Sequence, residues 1–213
     1  GRTVRPGLPL KDAAPDPSGG PYPLSVFVPG WMADRHGGTS LGDHLASYGF
    51  VMMAIDPIDV AGGGHEDWDD LLLRRPQEVT WQIDYAASLT AAGGGLEGMI
   101  DLDHIAVVGH SLGGYTALMA GGARLNWSFL PVWCGEHYES EYAPNTDVNF
   151  CDNWVADQQS PLAPLAGLDP SQPGLWPSWG DARVDAVVSL SPYFWVILGP
   201  EGMGSVTLPL LLI

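Results

Sequence analysis

The chain has 213 residues, a formal charge of −17 and 46% hydrophobic residues. This length fits one domain of ordinary size, and the hydrophobic content excludes a disordered chain. The strong negative charge, without a basic patch, argues against a nucleic acid partner. No apolar run reaches the ~20 residues of a membrane span, and no signal peptide pattern opens the chain. We therefore expect a secreted or periplasmic protein whose export signal has been removed.

Apolar runs alternate with helical patterns in the first half of the chain. Residues 24–28 form a run that is apolar except at Ser25 and that predicts a strand buried on both faces. A helical spacing begins near Thr39. Residues 50–55 predict a second strand, followed by a polar loop over residues 56–70. Pro76 then stands where a helix start tolerates proline, so we expect the next helix to begin there.

The same alternation continues in the second half. Residues 105–108 predict a third strand and residues 112–124 a helix, while residues 184–190 and 206–213 predict two further strands. Strands separated by helices at this spacing indicate a doubly wound, mostly parallel α/β sheet, within one domain that spans residues 1–213. A segment rich in Trp, Pro and acidic residues, 125–182, interrupts the pattern after the third helix. It is either a cap over the site or an outer excursion.

One motif carries chemistry: Gly109-His110-Ser111-Leu112-Gly113, a G-x-S-x-G between a predicted strand and a predicted helix. A serine on such a sharp turn needs small neighbours two residues before and after it, and both are glycine. The hydroxyl would project above the carboxyl edge of the sheet at a helix N-terminus. We interpret Ser111 as a nucleophile rather than an ordinary turn serine.

A serine that attacks a carbonyl also needs hydrogen-bond donors for the oxyanion. The backbone N–H of Leu112, directly after the nucleophile, is one candidate. The other is the backbone N–H of Trp31, in the loop after the first strand, where Gly30 allows close approach. The Trp31 side chain is predicted to line the substrate pocket, with a core tryptophan as the alternative.

Two segments resemble a known family. Val26-Phe-Val-Pro-Gly-Trp31 and Asp103-His-Ile-Ala-Val-Val-Gly-His-Ser-Leu-Gly-Gly-Tyr-Thr-Ala117 look like the α/β-hydrolase superfamily. Within it, the resemblance is to dienelactone-hydrolase-like proteins, bacterial cutinase-like polyester hydrolases and platelet-activating-factor acetylhydrolases. Dienelactone hydrolases use a cysteine nucleophile, whereas this chain has Ser111. The resemblance therefore implies a serine hydrolase of carboxylic esters that needs no organic cofactor.

The resemblance also implies a catalytic triad ordered Ser, then Asp or Glu, then His. Residues 206–213 are similar to the strand that leads into the triad acid, and no histidine follows His137. We expect the acid and the histidine on a segment after Ile213 or on a second polypeptide that completes the sheet. None of His36, His44, His104, His110 and His137 is well placed in the pattern to accept the Ser111 proton.

Several further residues are candidates with plain alternatives. Cys134 and Cys151 are the chain's two cysteines, and either form a disulfide or remain free thiols. Trp195 follows a predicted strand and lines the pocket or packs in the core, and His110 is a candidate substrate contact beside Ser111. An acidic loop over residues 66–70, from Glu66 to Asp70, is a weak candidate for calcium, with a solvated loop as the alternative.

The sequence thus predicts a serine esterase that acts on a small or polymeric ester through an acyl-enzyme. Two alternatives stay open at this point. The same machinery could cleave amides or peptides, and a chain without its histidine could be a hydrolase-fold binding protein that has no activity.

Overall fold

A computed structural model describes residues 12–61, 68–137, 159–169 and 174–213. Its centre is a five-stranded sheet in the order β2-β1-β3-β4-β5, and every pairing between these strands is parallel. The predicted α/β class with a parallel sheet is confirmed. The strands are β1 (Tyr22–Val28), β2 (Val51–Ala54), β3 (Ile100–His110), β4 (Ala186–Leu190) and β5 (Leu210–Leu212).

Helices connect these strands. Those described are α1 (Thr39–Ser47), α2 (Ile58–Ala61), α3 (Trp68–Thr90), α4 (Leu112–Ala120), α5 (Phe129–His137), α6 (Gln159–Leu165) and α7 (Gly199–Met203). Short 3-10 helices cover Pro17–Gly19, Arg35–Gly38 and Trp195–Ile197. Every residue of α4 is buried, which explains why its sequence, Leu-Gly-Gly-Tyr-Thr-Ala-Leu-Met-Ala, has no polar face.

The strand order places a switch in chain direction at the centre of the sheet. From β1 the chain moves outward to β2, and then returns across β1 to form β3 on its other side. Right-handed crossovers on the two sides of β1 place their helices on opposite faces, which makes the fold doubly wound. In open α/β sheets, ligands bind outside the carboxyl ends of the strands at such a switch. The carboxyl ends of β1 and β3 are therefore the place to look for a site.

The predicted helix start at Pro76 is wrong: α3 begins at Trp68, and Pro76 lies inside it. A proline inside a helix leaves the carbonyl four residues earlier without its usual donor. Here that carbonyl belongs to Leu72, and it accepts a hydrogen bond from the buried Tyr115 hydroxyl of α4 at 3.0 Å. A side chain from a neighbouring helix thus replaces the missing N–H, and α3 continues through the proline.

Other boundaries also differ from the sequence predictions. The predicted loop 56–70 contains α2, and α4 ends at Ala120 rather than at Arg124 because Gly121 and Gly122 follow. The third strand is longer than predicted and takes in His104, whose exposed ring contacts Asp101.

Parts of segment 125–182 belong to the main core. Trp127 and Trp176 are buried, their ring centroids lie 5.6 Å apart, and both join the hydrophobic cluster around the sheet. Arg124 donates to the carbonyls of Trp176 and Leu175, which connects this segment to the end of α4. Residues 138–158 and 170–173 lie outside the described residues, so the cap stays a prediction.

Candidate active site

The carboxyl ends of β1 and β3 bring the two predicted catalytic segments together. Val28 is in register with Gly109, so the loop that follows β1 and the turn that follows β3 start side by side. A Cβ added to Gly30 would lie 3.4 Å from the Ser111 Cβ and 3.4 Å from the His110 carbonyl oxygen. The loop after β1 and the Ser111 turn are therefore in close contact at position 30.

Ser111 occupies a strained backbone conformation. Its φ of 57° and ψ of −119° place it in the left-handed region between β3 and α4, where residues with a Cβ are uncommon. Three backbone hydrogen bonds stabilise this turn: Ser111 N–H donates to Leu190 O at 2.9 Å, and Ser111 O accepts from Tyr115 N–H at 3.1 Å and Tyr193 N–H at 3.0 Å. Strain sustained by its surroundings in this way is concentrated at functional sites.

The two glycines of the motif are required by packing. A Cβ at Gly109 would overlap the Gly113 carbonyl, and a Cβ at Gly113 would overlap the Val28 carbonyl of β1. The turn therefore closes on itself and on the neighbouring strand through backbone atoms alone. This is the physical basis of the G-x-S-x-G pattern in this chain.

Ser111 is half-buried, and among the described residues no side chain accepts a hydrogen bond from its hydroxyl. Leu112 is the first residue of α4, and N–H groups in the first turn of a helix have no partner within that helix. The partial positive charge at that helix end favours an anion beside Ser111. Leu112 therefore has the placement expected of an oxyanion donor.

The loop that carries Trp31 is fixed from beneath by an ion pair that the sequence analysis missed. Arg75 of α3 donates through Nη2 to Gly30 O at 2.9 Å and through Nη1 to Pro29 O at 3.2 Å. Asp59 of α2 accepts the Met32 N–H through Oδ2 at 2.8 Å, and its Oδ1 lies 3.0 Å from Arg75 Nε. Both charged side chains are 0% exposed.

A third charged residue supports this pair from the side of α2. Glu78 accepts the Ile58 N–H at 2.8 Å, at the start of the helix that carries Asp59. Burial disfavours the charged form of each side chain, so it raises the pKa of Glu78 and lowers the pKa of Arg75. The charge of nearby Asp59 partly offsets the lowering at Arg75. The guanidinium remains charged because its ordinary pKa lies far above neutrality.

A periodic pattern could have revealed Arg75. It lies four residues after Leu71 and four before Val79, both buried, so it stands within the apolar face of α3. A charged residue on such a face predicts a buried partner. The expected helix start at Pro76 hid this relationship, because it placed Arg75 before the helix.

Aromatic residues follow the carboxyl ends of β1 and β4 in the chain. Trp31 is 45% exposed and Trp195 is 51% exposed, so neither is the core residue that the alternative interpretation offered. Trp195 stacks edge-on against Trp133 with ring centroids 6.4 Å apart, and Tyr193 contacts Phe194 at 4.3 Å. The roles of Trp31 and Trp195 in substrate binding stay predictions.

The histidines with described side chains are distributed over both ends of the sheet. His110 is exposed at the end of β3 beside Ser111, and His36 and His44 are exposed near α1. His104 lies in the amino-terminal half of β3, and its Nδ1 is 2.8 Å from Asp101 Oδ2. His65 and the side chain of His137 lie outside the described residues.

Other predicted sites are only partly covered. Cys134 is disulfide-bonded, and Cys151, the chain's other cysteine, lies outside the described residues. The candidate calcium loop also lies outside them, apart from the backbone of Trp68, Asp69 and Asp70 at the start of α3. Where side chains are described, no three His, Cys, Asp or Glu residues converge as metal ligands. Among the described helices, none is long and apolar enough to cross a membrane.

Comparisons with known proteins agree with this geometry. Residues 14–134, which include the loop after β1 and the Ser111 turn, match a family model described as PET hydrolase-like. Two proteins of Thermobifida alba, "Cutinase est1" and "Cutinase est2", are each 32% identical over 103 residues. These residues are 48% of this chain and 31% of either relative, so the match spans about a third of the relatives' length. The chain belongs to the PET hydrolase-like family of α/β-hydrolases.

Proposed function

We propose that the protein is a serine hydrolase that cleaves carboxylic esters through an acyl-enzyme on Ser111. The Ser111 oxygen attacks the ester carbonyl, and the alcohol leaves after the tetrahedral intermediate collapses. Water then attacks the acyl-serine and releases the carboxylic acid. The N–H groups of Trp31 and Leu112 stabilise the oxyanion in both steps.

The observation that carries this proposal is the strained backbone of Ser111 at the switch point of the sheet. Its φ of 57° costs about 1–3 kcal/mol, and three backbone hydrogen bonds maintain it. An ordinary turn serine gains nothing from this conformation. A nucleophile gains a hydroxyl that projects from a sharp turn at a helix N-terminus.

The substrate proposed is an ester with an apolar acyl or aromatic group. Exposed Trp31 and Met32 follow the carboxyl end of β1, and exposed Trp195 follows that of β4. Apolar side chains with few polar groups are typical of small-molecule sites. The cutinase relatives and the PET hydrolase-like family model support ester chemistry.

The proton acceptor is proposed to be a histidine paired with a carboxylate, as in other serine hydrolases. The comparisons add no support for the expected second polypeptide. Intact mass analysis of the active material tests for it: a single 22.7 kDa species with full esterase activity would contradict a second polypeptide.

The disulfide at Cys134 supports a location in an oxidising compartment, in keeping with the predicted secreted or periplasmic protein. Such bonds are rare in the cytosol.

Kinetic comparison of matched p-nitrophenyl esters and p-nitroanilides tests the activity. We expect ester hydrolysis that is lost in Ser111→Ala and retained in Ser88→Ala, whose hydroxyl donates to Tyr85 O on α3. Faster cleavage of the anilides would favour an amidase. A rate that is equal in the wild type and Ser111→Ala would favour a binding protein without activity.

A further inference from the structure

We propose that Arg75 and Asp59 are positioning residues that orient and polarise the Trp31 N–H for oxyanion binding. This inference rests on the proposed function. It concerns two side chains that are fully buried and lie beneath the active-site loop.

The first step is the geometry of one peptide group. Gly30 O and Trp31 N–H belong to the same planar trans peptide, so the carbonyl and the N–H point in opposite directions. Arg75 Nη2 donates to Gly30 O at 2.9 Å from inside the protein. The bond that fixes the carbonyl inward therefore fixes the N–H outward, on the side of the loop away from Arg75.

The second step concerns the neighbouring residues. Arg75 Nη1 binds Pro29 O at 3.2 Å on one side of Trp31, and Asp59 binds the Met32 N–H at 2.8 Å on the other. Met32 has a φ of 56°, an uncommon conformation for a residue with a side chain. The ion pair thus restrains the loop both before and after the donor and sustains the strain at Met32.

The third step is electrostatic. A peptide carbonyl that accepts a hydrogen bond from a charged donor polarises its own N–H, and this makes the N–H a stronger donor. Charge-assisted bonds are about twice as strong as neutral ones. Asp59 pairs with the guanidinium and offsets part of the cost of burying its charge.

Stabilisation of the fold alone would not require a buried ion pair of Arg75 and Asp59. Replacing a buried ion pair with apolar residues is often neutral or favourable for stability. The pair binds three backbone groups of one four-residue loop, Pro29, Gly30 and Met32, and these flank the predicted donor on both sides. Preorganisation of that donor gives a reason for the burial of two charges at this position.

The test compares an ester with the thionoester in which sulfur replaces the carbonyl oxygen. Sulfur is a weak hydrogen-bond acceptor, so the ratio of kcat/KM for ester over thionoester measures the contribution of the oxyanion donors. We expect Arg75→Lys to lower this ratio about tenfold, and kcat on the ester by about tenfold to a hundredfold with KM nearly unchanged. Asp59→Asn keeps an acceptor for Met32 N–H and should lower the ratio less.

Arg124→Lys is the matched control, because Arg124 also donates to two backbone carbonyls but lies at the other end of the sheet. Its ratio should equal that of the wild type. Because each ratio is taken within one sample, a loss of folded protein in a variant cancels. Equal ratios in all three variants and the wild type would overturn the proposal while leaving the esterase intact. A wild type without Ser111-dependent ester hydrolysis would overturn the proposed function and this inference together.

Discussion

The two ends of the parallel sheet are built differently. At the carboxyl end, four non-glycine residues have positive φ values: Met32, Ser111, Ser191 and Phe194. Among the described residues, Asp12 is the other non-glycine residue with this feature, and it precedes the sheet. In the part of the chain that the structure describes, backbone strain at non-glycine residues is therefore concentrated at the carboxyl end of the sheet.

Arginine shows the same difference. Arg75 is fully buried at the carboxyl end and binds loop carbonyls, whereas Arg183 near the amino end of β4 is partly exposed. Arg183 contacts Asp181 at 2.6 Å and Asp84 at 2.8 Å, and its hydrogen bond to Asp181 raises its pKa further. Exposed pairs of this kind contribute little to stability. The comparison indicates that this fold concentrates its strain and buried charge where chemistry is proposed.

Gly113→Ala tests the close packing of the carboxyl end and has the largest expected effect. The new Cβ would overlap the Val28 carbonyl, which cannot move without disturbing β1, so we expect a loss of about 3 kcal/mol or more in unfolding free energy. The control is Gly95→Ala, in the loop before β3, where the Cβ would lie 3.9 Å from Leu89 Cδ2. Urea unfolding of both variants measures the difference. Equal stabilities would contradict the packing described for the turn.

Tyr115→Phe tests the bond between α3 and α4. Removing the hydroxyl leaves the Leu72 carbonyl buried without its donor, so we expect a loss of about 1–3 kcal/mol. Pro76→Ala supplies an N–H that can donate to the same carbonyl. Tyr115→Phe should therefore cost less when Pro76→Ala is present, as measured by a double-mutant cycle. Additive effects would show that the hydroxyl does not substitute for the missing helix bond.

The parts of the fold that depend on local sequence patterns were predictable from the sequence. The run of residues 24–28 and the glycines of the motif predicted β1 and the turn, because these patterns reflect local geometry. The length of α3 was not predictable in the same way. Proline is normally excluded from the interior of a helix. Pro76 lies inside α3, where the Tyr115 hydroxyl from α4 supplies the hydrogen bond that the proline cannot donate.

The candidate site likewise contains residues that a local pattern predicts and residues that only the fold brings together. Ser111, Leu112 and Trp31 follow from a short motif and its neighbours in sequence. Asp59 and Arg75 come from two other helices and meet beneath the loop only after folding. No pattern within one segment of the sequence predicts that two such distant residues pair. The apolar face of α3 indicates only that Arg75 is buried.

Ser111→Gly tests the strain at the nucleophile. It should increase the unfolding free energy, and by less than Gly113→Ala or Tyr115→Phe decreases it. Glycine accepts the backbone angles at this position without a steric penalty, so we expect a gain of about 1 kcal/mol in unfolding free energy together with loss of ester hydrolysis. Ser88→Gly, the same change in the regular helix α3, should lower stability by about 0.5 kcal/mol. Thermal unfolding compares the two. A loss of stability in Ser111→Gly would show that this turn is not strained.

Glu78→Gln should have the smallest effect, visible as a change with pH. Burial raises the pKa of Glu78 above its ordinary value of 4.5. The hydrogen bond from the Ile58 N–H and the charges of Arg75 and Arg74 oppose this shift, and nearby Asp59 adds to it. The stabilisation linked to this shift is fully present below pH 4.5 and is lost as pH rises through the raised pKa. Glutamine does not titrate and can still accept the Ile58 N–H. The stability of Glu78→Gln relative to the wild type should therefore increase from about pH 4 to pH 7.

The stability difference is obtained from urea unfolding at each pH. A difference that stays constant, or that falls as pH rises, would contradict the raised pKa.

Mass spectrometry of a trapped intermediate tests the central claim most directly. The protein is mixed with p-nitrophenyl butyrate or a fluorophosphonate, quenched in acid, digested and mapped. We predict one butyryl or phosphonyl group on the peptide that contains Gly109-His110-Ser111-Leu112-Gly113, assigned by fragmentation to the Ser111 oxygen and absent from Ser111→Ala. An adduct on another residue, or none on a protein that hydrolyses the ester, would contradict the assignment of Ser111 as the nucleophile.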